Sequence, residues 1–203
     1  MSQLSDRLRA LPAFPADLPV LDPETAPADP VELFLAWLDD AIEAGERQPH
    51  GMALTTLAPD GTPVGRVLIL KEVDARGFHF STHRTSRKGQ QLADHPRASM
   101  LFWFKEAGRT VRVTGAVRAL DESASQRDWE GRPGYDGAPN PDWQLYALVP
   151  EELEFMQARE DRNHTRLEYR RSAEDAGPAW ARPPCQRSAA HRPRPTATAT
   201  TRM

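Results

Sequence analysis

The sequence predicts a mainly β domain with flanking helices, an antiparallel barrel or sandwich and not a parallel α/β fold. Short runs alternate apolar and polar residues, tight turns rich in Gly, Asp and Pro separate them, and the connections are too short for parallel crossovers. The 203 residues provide for one domain of ordinary size, with 39% hydrophobic and 27% charged residues. A formal net charge of -3 argues against a strongly basic nucleic-acid-binding chain, and apolar runs such as residues 100–104 are far too short to span a membrane. Neither nucleic acid nor membrane is therefore an expected partner. The single cysteine, Cys185, can form no internal disulfide, which suits a reducing compartment and makes the cytoplasm the expected location.

Proline marks the organisation: of 19 prolines, six fall in residues 1–30 and five in residues 178–195. Residues 1–28 read as an extended, Pro-rich N-terminal arm and residues 29–175 as the folded domain. Residues 176–203 lack acids and end in a Thr/Ala repeat, and read as a disordered, low-complexity tail outside the fold. Asp29 followed by Pro30 opens a helix whose apolar face is Phe34, Trp37, Leu38, Ala41 and Ile42, ending at Gly45. Strands are expected over residues 52–58, 64–71, 78–82, 98–104 and 110–119, with turns at 59–62, 74–77 and 105–108. A short helix is expected at residues 86–94, stopped by His95-Pro96, and another at 121–130, followed by a loop over 131–142. The last strands are placed at 145–149, 153–157 and 166–171, although Pro150-Glu151-Glu152 could open a short helix instead.

Three basic clusters are candidates for chemistry. Arg66 and Lys71 bracket an apolar run, which fits either a buried strand with solvated ends or a ligand-facing strand. Thr85-Ser86-Arg87-Lys88 places hydroxyls and two cations at a helix start. Cations there oppose the helix dipole unless an anion such as phosphate is bound, although a solvated charge pair remains the alternative. Arg162, His164 and Arg166 alternate onto one face of an extended segment, around an anion or in ordinary salt bridges with Glu160, Asp161 and Glu168. The histidines and carboxylates show no metal-ligand spacing, and no Gly-x-Ser-x-Gly motif occurs.

These clusters, read with their neighbours, resemble the pyridoxamine 5′-phosphate oxidase family of FMN-binding split barrels. The resemblance runs from residue 29 to 171. It rests on the Arg66 to Lys71 strand, Phe80-Ser81-Thr82, Ser86-Arg87-Lys88 with His95-Pro96-Arg97, Arg109 to Gly115, Glu154 to Gln157, and Arg162 to Arg166. It implies a homodimeric, antiparallel split β-barrel of Greek-key type with FMN at the subunit interface. The implied cofactor residues are Arg66, Val67, Leu68, Ile69, Leu70, Lys71, Ser81, Thr82, Ser86, Arg87, Lys88, Thr110, Met156 and Arg166, with Met156 and Arg166 coming from the second subunit. Lys71 and Arg132 would hold the substrate phosphate, and Arg162 and His164 would be the catalytic and substrate-binding pair above the flavin. The implied reaction oxidises pyridoxamine or pyridoxine 5′-phosphate to pyridoxal 5′-phosphate, with O2 as acceptor and release of hydrogen peroxide. An oxidase of another heterocycle, phenazine-like, or a non-catalytic flavin-binding protein are the alternatives. The sequence departs from the family at Thr110, where glutamine is expected, at Met156 for tryptophan, and at Asp128 for a tyrosine that touches substrate phosphate. An acid at 128 is expected to repel that phosphate.

Overall fold

The computed structural model describes residues 3–12, 14–15, 17–171 and 180–182. Among these, four helices surround one antiparallel sheet: α1 (Gln3–Arg9), α2 (Pro30–Glu43), α3 (Arg87–Asp94) and α4 (Glu122–Glu130). The strands are β1 (Gly51–Leu57), β2 (Pro63–Ile69), β3 (Glu72–Asp74), β4 (Gly77–His83), β5 (Arg97–Phe104), β6 (Arg109–Ala119), β7 (Trp143–Gln157), β8 (Thr165–Arg171) and β9 (Trp180–Ala181). They run in the order β2-β1-β5-β6-β7-β4-β3, with β8 and β9 added beside β7. The Lys71 amide donates to the His79 carbonyl at 2.9 Å, tying the end of β2 to β4 and curling the sheet towards a barrel.

Alternation decides which face is covered. On β5, Ala98, Met100, Phe102 and Phe104 point inward while Leu101 and Trp103 point out. Phe34 of α2 is fully buried, with its ring edge-on to Phe78 and Phe102 at 5.0 and 4.9 Å, and Trp37 meets Phe155 at 5.2 Å. Each such ring contributes roughly 1.5–3 kcal/mol by leaving water. The Asp29 side chain accepts from the Val31 amide at 2.9 Å and Pro30 sits in the first turn, so α2 starts where its sequence demands. Ile42 departs from the expected face and is 56% exposed. It lies in the last turn, beyond the reach of the barrel rim.

Four differences from the sequence expectation stand out. Residues 3–9 form a helix within the arm expected to be extended; all prolines of that arm lie after this segment, so nothing there breaks the helix. The short strand β3 was not expected, being a three-residue pairing directly before its turn. Residues 143–157 are one strand, with neither a break nor a helix at Pro150. The register slips between Thr114 and Gly115, so Glu151 bulges out and Pro150, which has no amide to donate, sits where the ladder is already interrupted. Finally, Trp180–Ala181 pairs with β8, within the tail placed outside the fold. Arg182 follows, donating to the carbonyls of Pro23, Ala26 and Pro27 and stacking over Tyr169. The rest of that tail, residues 176–179 and 183–203, lies outside the described residues.

Gly115 makes the bulge possible, because a Cβ there would stand 2.0 Å from the Val149 carbonyl oxygen. Gly115→Ala should therefore lower stability by about 1–3 kcal/mol, read as a drop in thermal midpoint, whereas Gly65→Ala on β2, where a Cβ would meet only Thr55 Oγ1 at an ordinary 3.8 Å, should cost less.

Candidate functional site

Two anion-seeking regions lie side by side along β2 and β4. The first sits at the start of α3. Ser86 caps the helix by accepting from the Gly89 amide at 3.2 Å, and its hydroxyl lies 3.2 Å from that of Thr82. Arg66 reaches this region from β2, donating to the Leu54 carbonyl at 3.3 Å, Thr56 Oγ1 at 2.6 Å and Gln91 Oε1 at 2.9 Å. Arg66, Arg87 and Lys88 form no ion pair among the described residues. Burial, reinforced by the Arg87 charge, holds the Arg66 guanidinium below its usual pKa, and burial with the Arg66 charge does the same for Lys88. Like charges gathered at a helix N-terminus without an acid are what a bound phosphate would relieve. Gly89 lets the helix approach so closely: a Cβ there would lie 2.3 Å from the Arg84 oxygen and 2.5 Å from that of His83.

The second region is a cavity of ≈ 290 Å³ lined by Val67, Leu68, Ile69, Lys71, Ser81, Arg132 and Trp143. The Ser81 hydroxyl is buried there without a hydrogen-bond partner among the described residues. Such an orphan costs free energy unless a ligand satisfies it. Leu70, expected among the cofactor contacts, instead turns its side chain into the hydrophobic core. Lys71 Nζ stands 3.5 Å from Asp128 Oδ1, and Asp128 Oδ2 accepts from Trp143 Nε1 at 2.7 Å. The acid expected to repel a phosphate thus pairs with the lysine expected to hold one. Arg132 packs against two mutually contacting indoles, 4.6 Å from Trp129 and 4.4 Å from Trp143.

The remaining candidates lie elsewhere in the protomer. Thr110, Met156 and Arg166 are direct cross-strand neighbours on β6, β7 and β8, and Arg166 also pairs with Glu154 at 2.8 Å. His164 and Arg166 line a cavity of ≈ 390 Å³ against residues 20–24 of the arm, and the Arg159 amide donates to His164 Nδ1 at 3.1 Å. Arg162, in a left-handed conformation (φ 59°), faces α1. Trp143 and Met156 sit at opposite ends of β7, about 40 Å of strand contour apart at ~3.3 Å per residue. Exposed apolar residues stand on β2 and β5: Val67 (77%), Trp103 (57%), Leu101 (42%) and Ile69 (39%).

Trp143, Trp129 and Gln91 are site residues that sequence reasoning missed. The two tryptophans flank the Gly/Pro-rich loop, a position that only the fold turns towards Lys71. No group of three or more His, Cys, Asp or Glu among the described residues is placed to hold a metal, and no described helix is long and apolar enough to cross a membrane.

Comparison with known proteins gives this geometry a lineage. Residues 38–157 match the family described as pyridoxamine 5′-phosphate oxidase, and residues 143–182 match the pyridoxine 5′-phosphate oxidase C-terminal dimerisation region. A pyridoxine/pyridoxamine 5′-phosphate oxidase from Thermosynechococcus vestitus is 36% identical over 190 residues, covering 77% of this chain and 88% of the relative. One from Salinibacter ruber is 36% identical over 179 residues, covering 71% and 83%. Among solved structures, PhzG from Burkholderia lata 383, in complex with tetrahydrophenazine-1-carboxylic acid, aligns with a TM-score of 0.74 at 30% identity, covering 83% of this chain and 98% of PhzG. A pyridoxamine 5′-phosphate oxidase-related, FMN-binding protein from Nostoc punctiforme shares the fold, with a TM-score of 0.65 at 17% identity and coverage of 78% and 98%. The antiparallel split barrel and the C-terminal dimerisation region are thus family features. With one family covering more than half of its length, and relatives above 30% identity along most of it, the chain belongs to the pyridoxamine 5′-phosphate oxidase family.

Proposed function

We propose that the protein is an FMN-dependent oxidase of a small anionic ring compound, working as a homodimer with a flavin at each subunit interface. The observation that carries this reading is the acid-free cluster of Arg66, Arg87 and Lys88 at a capped helix start, beside a cavity that holds an unsatisfied serine hydroxyl. The residues fit FMN. Ser86, Arg87, Lys88, Arg66 and Thr82 would hold its phosphate, and Ser81 with the 67–71 segment would line its ring. Bound FMN supplies a two-electron acceptor, which takes a hydride from the substrate and returns the electrons to O2 to give hydrogen peroxide.

The chain's own groups bind and orient. Lys71 and Arg132 form the charged end of the cavity, where an anionic substituent of the substrate would dock. Met156, Thr110, Arg166, Arg162 and His164 lie too far along the sheet to close this cavity within one protomer, and would come from the second copy. The exposed apolar residues of β2 and β5 are the surface that copy would cover. Two substrates suit the description. Pyridoxamine or pyridoxine 5′-phosphate, oxidised to pyridoxal 5′-phosphate, is supported by the names of the relatives. A heterocyclic carboxylate is supported by the ligand of PhzG and by the Lys71–Asp128 pair.

The purified protein should be a yellow dimer with about one FMN per chain. A colourless monomer that takes up no added FMN would defeat the proposal, and a flavin that never yields peroxide with any ring substrate would leave a binding protein without turnover. Replacing Arg87 and Lys88 together by alanine should weaken FMN at least tenfold, since charge-assisted contacts are worth roughly 1.5–3 kcal/mol. Arg162→Ala should spare flavin affinity and reduce turnover. Gly89→Ala should also weaken FMN, by about tenfold in a fluorescence titration, because the helix start must move to admit the methyl group.

A further inference from the structure

We infer that Asp128 sets the charge preference of the substrate end of the cavity, so that the protein takes a ring compound carrying one negative charge, a carboxylate, ahead of a phosphate dianion. The inference rests on the oxidase reading of this cavity and adds its substrate class.

Within one protomer two described cations, Lys71 and Arg132, line that end, and of these only Arg132 is not paired with an acid. Lys71 is paired with Asp128 at 3.5 Å, and the Asp128 carboxylate is 12% exposed. Its other oxygen is held at 2.7 Å by the Trp143 indole, so the acid is fixed from two sides and cannot swing away cheaply. The Arg132 guanidinium makes no ion pair or hydrogen bond among the described residues and rests on the paired Trp129 and Trp143 indoles. The fixed charge of Lys71, Asp128 and Arg132 therefore sums to a single positive unit.

The same chain shows what it sets against a phosphate. At the α3 start, three basic side chains gather with no acid paired to any of them, and Arg66 is oriented only by neutral oxygens. A phosphate monoester carries about -1.5 to -2 near neutral pH, a carboxylate one charge. In a half-buried cavity one surplus cation matches a carboxylate, whereas a dianion would leave negative charge uncompensated beside Asp128.

The test uses the FMN-loaded protein and its Asp128→Asn variant, which retains an oxygen to accept from Trp143. Dissociation constants for pyridoxal 5′-phosphate and for phenazine-1-carboxylate are read from the perturbed flavin spectrum at low and high salt. Wild type should prefer the carboxylate. The variant should shift the affinity ratio towards pyridoxal 5′-phosphate by tenfold or more, and salt should shrink that shift. The double variant Lys71→Met/Asp128→Asn restores a single positive charge and should return the ratio to that of wild type. An unchanged ratio in Asp128→Asn, or a double variant that keeps the phosphate preference, overturns the assignment. Failure of the underlying reading looks different: no flavin is retained by wild type, so no spectrum exists to perturb. Should Asp128→Asn lose flavin or melt early, Asp128→Tyr, carrying the family's residue, replaces it with the same expected shift.

Discussion

A single long strand with one extra residue governs this molecule. β7 pairs with β6 along nearly its whole length, yet its first half also pairs with β4 and its second half with β8. The bulge at Glu151 is the hinge between the two halves: bulges raise local twist and bend a strand, so one strand can serve the barrel on one side and the β8 extension on the other. Pro150, which cannot donate, is accommodated where the ladder is already interrupted, and Arg97 satisfies the Glu151 carboxylate that the bulge turns outward. From this follows the division of the candidate site. The Trp143 end meets Lys71 and Asp128, the Met156 end meets Thr110 and Arg166, and the strand between them keeps the two groups apart within a protomer.

How the flavin-phosphate candidates are positioned follows a second rule. Arg66 is anchored by a carbonyl, a threonine hydroxyl and the buried amide of Gln91, itself bonded to Thr56 at 2.6 Å. Neutral acceptors fix a guanidinium in place without cancelling its charge, which a carboxylate would do. The cost shows in the lowered pKa values of Arg66 and Lys88, where burial penalises the charge and a neighbouring cation adds to the penalty. Several other arginines are paired with acids instead: Arg109 with Asp40 at 2.7 Å, Arg112 with Glu152 and Glu154, Arg76 with Asp74.

Much of this was legible in the sequence because it is local. The α2 cap, the hairpin turns, the alternation on β5 and β6, and the Ser86 cap are written in adjacent residues, and each forms where its neighbours dictate. The antiparallel architecture followed from the short connections. What the sequence hid depended on residues far apart. Pro150 reads as a break unless one knows that Gly115, on the partner strand, leaves room for a bulge. Asp128 reads as an acid in the way of a phosphate, because its pairing with Lys71, 57 positions earlier, exists only once α4 packs against β7. Leu70 shared a run with Ile69 but not a face, and one step along a strand was enough to send it into the core.

The ends of the described chain show the same dependence on distant partners. Tyr169 is fully buried on β8 and donates its hydroxyl to the Pro27 carbonyl at 2.8 Å, while Arg182 covers the ring and takes up carbonyls of the same arm segment. Proline lacks an amide but keeps its carbonyl, so a Pro-rich arm offers acceptors that no local strand can claim, and an arginine with five donors suits them. The arm is thereby fastened beside β8 and β9, and its preceding residues reach the loop that carries His164, where Phe14 meets the imidazole edge-on at 6.0 Å, and the β5–β6 turn, where Leu18 packs over Gly108. A composition that reads as unable to build a core serves here to cover one, and the geometry of the His164 loop is set by both ends of the described chain.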